Sequence, residues 1–207
     1  MGASAGTDEI DFKSTNGYLA LVAAVVTLAF GIWAFLRLDP LLGIAAILTF
    51  VFVAKGLYML QPNQAALMLL FGDYRGTDYS TGLRWANPFI STKKISLRLR
   101  NFNSELLKVN DRRGNPIEIA SAVVWRVHDS ARAVLDIDDY EAYVPIQAEA
   151  AIRHLASEFS YDSQDDEQAE LTLRGGGDIL IGKLKAELAE RLSKAGLAVE
   201  DARLTHL

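Results

Sequence analysis

The chain has 207 residues, half of them hydrophobic, a formal net charge of −5 and no cysteine. That length allows one ordinary domain plus a further element. The missing cysteine excludes a disulfide framework, a thiolate metal site and a cysteine nucleophile, and the acidic balance, with no basic arm, speaks against nucleic acid as a partner.

Residues 1–17 read as a polar tail. Asp8, Glu9 and Asp11 stand against a single Lys13, which is the wrong charge for a cleavable signal peptide. Gly6 occupies the place where a myristoylation pattern needs Ser or Thr. From Tyr18 to Leu36 the chain carries no charge over nineteen residues, close to the ~20 needed to span a bilayer. Tyr18 and Trp33 lie near its ends, where amphipathic rings favour the headgroup level. A second apolar stretch, Leu41–Leu60, is interrupted by Lys55, whose ammonium can snorkel to the interface. Two readings stand: a second span, making residues 18–60 a transmembrane helical hairpin with a tight Arg37–Pro40 turn, or a re-entrant or buried segment. Pro40 suits the first turn of a new helix and favours the hairpin. Arg75, Arg84, Lys93 and Lys94 follow the second stretch, whereas the turn offers only Arg37. The positive-inside rule therefore places the C-terminal portion in the cytoplasm, with the N-terminus on the same side if both segments span.

Residues 64–72 read as a mostly buried strand. Residues 70–89 then pack turn formers (Gly72, Asp73, Gly76, Asp78, Gly82, Asn87, Pro88) among the aromatics Phe71, Tyr74, Tyr79, Trp85 and Phe89. Period-2 alternation at Ile95, Leu97 and Leu99, and again at Ile117, Ile119, Val123, Trp125 and Val127, predicts two strands. The turn cluster NDRRGNP between them makes a long antiparallel hairpin, with a bulge expected near Phe102–Leu106 where the phase breaks. Asp129 or Ser130 caps a short helix. Helical spacing follows over Tyr140–Phe159 and Ile179–Leu192, with Gly196 as a stop, and residues 197–207 return to a strand. Strands, then helices, then a strand predict an α+β fold, mainly an antiparallel sheet with helices on one face.

The ordered set QPNQAALMLLFGDYRGTDYSTGLRWANPF, VVWRVHDSARAVLDIDDYEAYV, AAIRHLASEFSYD and KLKAELAERLSKAGLAVEDARLTHL resembles the SPFH (band 7) superfamily of stomatins, prohibitins and flotillins over residues 61–207. The resemblance implies a membrane-anchored, non-enzymatic scaffold that oligomerises laterally and organises membrane microdomains or partner proteins. Membrane lipids, further copies of the chain and a membrane-bound protease or peptidase are the implied partners; location in the inner or plasma membrane is implied too, and no cofactor is. It places Phe71, Tyr74, Tyr79, Trp85 and Phe89 at the membrane beside Tyr18, Trp33 and Lys55, although for Trp85 and Phe89 the favoured reading is that they pin their loop to the sheet. Relatives continue into a long Ala/Gln/Glu-rich helix that builds the assembly, and the sequence stops at Leu207, ahead of such a helix. The acidic segment holding Asp165 and Asp166 is then expected to meet a neighbour's Arg132 or Arg153.

Chemical alternatives are thin. Gly177, Gly182 and Lys183 nearly spell a phosphate-binding loop, but Leu184 replaces the Mg²⁺-binding hydroxyl residue and no buried strand leads in. The acidic run at 162–170 lacks the glycine and glutamate of an EF-hand. His128, His154 and His206 make no recognised catalytic or metal spacing. Arg98 and Arg100, with Lys93 and Lys94, could face anionic lipid or simply water. The competing functions are therefore a membrane-anchored nucleotide-using enzyme, centred on Gly177–Lys183, and a monomeric lipid-binding adaptor.

Overall fold

A computed structural model describes residues 7–161, 173 and 176–206. They form two compact units: Glu9–Leu97, and the chain from Arg98 onward together with Thr7 and Asp8.

The first unit opens with β1 (Thr15–Asn16) and two helices, α1 (Gly17–Arg37) and α2 (Pro40–Lys55). Each helix starts where a polar side chain can cap it. The Asn16 side chain accepts the Tyr18 N–H, and Asp39 accepts the Leu41 N–H one residue ahead of Pro40 at the first helical position. The helices pack as an antiparallel hairpin. A Cβ at Gly31 would lie 3.1 Å from Ile47, and one at Gly43 would fall 2.5 Å from the Phe35 Cβ. Glycine at these positions lets the two backbones approach, while Leu19, Val25, Val26, Leu41, Leu48 and Val51 point outward and exposed.

The strands β2 (Leu57–Leu60), β3 (Gln64–Leu70), β4 (Asp73–Asp78), β5 (Gly82–Trp85) and β6 (Ile90–Ser96) complete this unit. They form two antiparallel sheets, ordered β1-β5-β2 and β4-β3-β6. Central in its sheet, β3 is buried from Ala65 to Met68, which is why it reads as a continuous apolar run. Leu60, Ala66 and Met68 form a small core with Phe12, Tyr58 and Ile90.

The second unit contains β7 (Arg100–Asn103), β8 (Leu107–Asn110), β9 (Pro116–Val127), one wide helical turn (Arg132–Asp136), α3 (Tyr140–Glu158), α4 (Gly177–Ser193) and β10 (Leu197–His206). The central strand β9 pairs with β10 on one side and with β7 and β8 in succession on the other. Both helices cover one face. Ala148, Ile152 and Leu155 of α3 and Leu180, Leu184 and Leu188 of α4 bury against Ile119 and Val123. Gly196 turns α4 into β10 at φ +69, with the Asp129 carbonyl 2.4 Å from where a Cβ would sit; this explains the stop residue.

Two boundaries differ from expectation. The second apolar stretch is not helical to Leu60: α2 ends at Lys55 and Leu57–Leu60 is strand β2. Composition cannot separate the two because both are apolar; pairing with β5 decides. Ile95 does not join the long hairpin, since residues 90–96 pair with β3 instead. The hairpin is made by β7, β8 and β9, and the break expected near Phe102–Leu106 falls between β7 and β8. α3 begins at Tyr140 under the Asp139 cap.

Candidate membrane-anchoring site

The chain enters and leaves the helical hairpin on either side of one strand. Thr15 and Asn16 pair with Trp85 and Arg84 on one edge of β5; Leu57 and Tyr58 pair with the same two residues on the other. Gly17 packs so tightly on β5 that a Cβ would lie 2.6 Å from Arg84 N. At the other foot, the Trp85 indole N–H donates to the Val53 carbonyl at 2.8 Å and the Ala86 N–H to the Gly56 carbonyl at 3.0 Å. The Val53 carbonyl also accepts the Gly56 N–H at 3.2 Å, and Gly56 caps α2, so both bonds fall where the regular helical ladder ends. The result is a three-stranded clasp at the base of the hairpin. It forces both ends of the hairpin onto one side, so the N-terminal tail and β2–β6 share a face.

The tail is fastened further. Phe12 N–H donates to Thr77 O at 2.9 Å, Thr77 N–H to Ile10 O at 2.7 Å, and the Tyr79 hydroxyl to Glu9 at 2.5 Å. Beneath it lies a fully buried carboxylate, Asp78, which accepts the Tyr58 hydroxyl at 2.5 Å and the Ser80 N–H at 2.9 Å. Burial pushes the Asp78 pKa up, but the Tyr58 hydroxyl and the Ser80 amide outweigh it and hold the group below the usual carboxylate range. The Tyr58 pKa is driven up, by burial first and then by its bond to Asp78.

The five aromatics of residues 70–89 divide by chemistry. Trp85, Tyr74 and Tyr79 spend their polar atoms inside the unit: Trp85 on α2, Tyr74 on Thr77 and Ile10, Tyr79 on Glu9. Phe71 and Phe89 are exposed and stack outward, 6.0 Å between ring centroids; Phe89 also meets Phe52 in the last turns of α2 at 5.9 Å. Phe71 is 84% exposed and held at φ +53, a left-handed conformation that costs a bulky residue about 1 kcal/mol or more. Tyr18, Trp33 and Lys55 are exposed on the hairpin.

Of the expected contact residues of the second unit, Arg132 has acidic partners within it. Arg132 sits 3.2 Å from Asp129 and 3.6 Å from Asp8. Arg153 is exposed on α3. Asp165 and Asp166 lie outside the described residues. Arg100 does not line a free basic face: Glu141 holds it at 2.5 Å, and the rings of Trp125 and Tyr140 flank it. Residues 177–184 are helical, with Leu184 in the core, so no phosphate-cradling loop forms there. Lys183 caps the Phe159 ring at 4.4 Å and pairs with Glu158 at 3.5 Å. Sequence reasoning missed Asp111, a buried carboxylate that gathers the N–H groups of Arg113, Asn115 and Tyr161; the NDRRGNP turn carried its signal only as punctuation.

The family model for the SPFH domain / Band 7 family matches residues 58–207. The chain belongs to this family. The matched region begins in β2, so it takes in β5 and most of β2 and leaves β1 and the hairpin outside. A search of curated protein sequences finds no match to the chain. SPFH membership and the 21-residue apolar helix α1, mostly exposed along its length, indicate membrane association, and the family is one of scaffold-type proteins rather than enzymes.

Proposed function

We propose that this SPFH protein is a membrane-anchored scaffold that assembles laterally and organises lipid microdomains or partner membrane proteins, membrane-bound proteases among them. The observation that carries the reading is the clasp. It presents an apolar two-helix hairpin and the exposed Phe52, Phe89 and Phe71 cluster on the same side of the unit. Exposed apolar surface of this extent marks an interaction site, and a bilayer is the partner that suits a hairpin whose helices are apolar on their outward faces. Phe52 lies in the last turns of α2, so Phe89 and Phe71 reach the interfacial layer together with it. With both feet on one face, the hairpin crosses out and back, and basic residues favour the cytoplasmic side for the folded units. The enzyme alternative loses its anchor residue, because Lys183 is committed to Glu158 and Phe159.

The test is cross-linking of the reconstituted chain over a range of protein-to-lipid ratios. Discrete oligomers that grow with surface density, and that weaken when Asp165 and Asp166 are changed to Lys, support lateral assembly. A strictly monomeric chain at every density points to the lipid-binding adaptor. Nucleotide binding by calorimetry would restore the enzyme reading.

A further inference from the structure

We infer that the hairpin selects a thin bilayer: its partner surface is a membrane whose hydrocarbon layer is several ångströms thinner than average. The inference rests on the anchoring role proposed above and specifies the lipid it suits. It follows from two fixed ends. At the tip, Arg37 closes α1 and Asp39 caps α2, both exposed. Charged side chains belong in the far headgroup layer rather than in hydrocarbon. At the base, exposed Lys55 ends α2, and the next residue but one begins β2.

The base cannot sink to make up length. The clasp is an open sheet ordered β1-β5-β2. The outer edges of β1 and β2 carry backbone groups that no strand of that sheet pairs, and such edges are excluded from hydrocarbon. The base also cannot slide, because Gly17 abuts β5 and Trp85 holds Val53.

The arm between these limits is short. The sixteen residues of α2 rise about 24 Å, against an average hydrocarbon core of about 30 Å. Although α1 has 21 residues, the Gly31–Ile47 and Gly43–Phe35 contacts place Lys55 roughly level with Ala23 by helical rise. The first turn and a half of α1 therefore runs beside the clasp, and both arms present the same short apolar height. Any tilt shortens it further. Snorkelling by Lys55 and Arg37 recovers part of the deficit, and thinning of the surrounding lipid must supply the rest.

The experiment is tryptophan quenching of the full chain, reconstituted in mixtures of plain and brominated monounsaturated phosphatidylcholines of short, medium and long chain. Trp33 reports contact with the acyl region. The expected result is a preference for short-chain over long-chain lipid of about threefold or more. The triple variant R37L/D39N/K55L removes the bounding charges and keeps an Asn cap on α2; its preference should flatten or move to longer chains. Equal quenching across the series, or a preference for long chains, overturns the thin-bilayer inference and leaves the anchor intact. Absence of quenching by every brominated lipid overturns the anchor itself.

Discussion

The indole N–H of Trp85 donates to the carbonyl of Val53 at 2.8 Å, joining the strand between the two feet of the hairpin to the last turn of its second helix. A tryptophan that sequence alone assigns to the membrane or to its own loop is thus a strut between a sheet and a helix end. W85F keeps the ring and removes the donor. It should cost about 1 kcal/mol and speed amide exchange at Gly56–Leu60 while leaving β10 unchanged. Exchange measured by mass spectrometry checks this, and uniform acceleration in both regions would mean that Trp85 merely supports the fold.

The strained, exposed Phe71 predicts opposed effects on stability and binding. F71G should relieve the left-handed strain and raise denaturant stability in detergent by about 1 kcal/mol. The same change should reduce vesicle binding in a chain whose residues 17–55 are replaced by a flexible Gly/Ser linker, because β1 and β2 remain zipped to β5 and only the phenylalanines are left to touch lipid. Flotation of the two linker variants side by side measures the contribution of Phe71.

Asp78 makes the base of the anchor sensitive to acid. Its pKa is lowered in the folded state, so the unfolded chain binds more protons in the acidic range. Its contribution is present above the ordinary carboxylate value of about 3.9 and is lost as pH falls through the lower folded value. Y58F deletes the hydroxyl donor, should cost about 2 kcal/mol at neutral pH, and should shift the acid-unfolding midpoint upward. An unchanged midpoint in a pH titration followed by circular dichroism would show that Tyr58 does not set the ionisation of Asp78.

Lys183 separates a scaffold from a nucleotide enzyme. K183A removes a cation–π contact with Phe159 and a half-exposed ion pair with Glu158, together worth about 1 kcal/mol or less. Thermal unfolding should register that small loss. Membrane association and assembly should be unchanged, and calorimetry should detect no nucleotide binding to either form.

Much of the element order is legible in the sequence because each element announces itself locally. Pro40 opens α2, Gly196 ends α4, and the period-2 run at 117–127 becomes β9. The apolar charge-free stretch marks α1, and the family follows from the order of these parts. Partnership is what the sequence leaves open. Leu57–Leu60 is as apolar as the helix before it, and only β5, more than twenty residues later, makes it a strand. Ile95 alternates in phase with Leu97 and Leu99, yet its hydrogen bonds go to β3. Trp85 and Phe89 stand four residues apart, and the tertiary structure hydrogen-bonds one to the end of α2 and leaves the other exposed. Local patterns record which face of an element is apolar, through the period of its side chains. Which backbone edge or aromatic ring meets which distant neighbour depends on contacts far apart in sequence, and those are fixed only when the chain has folded.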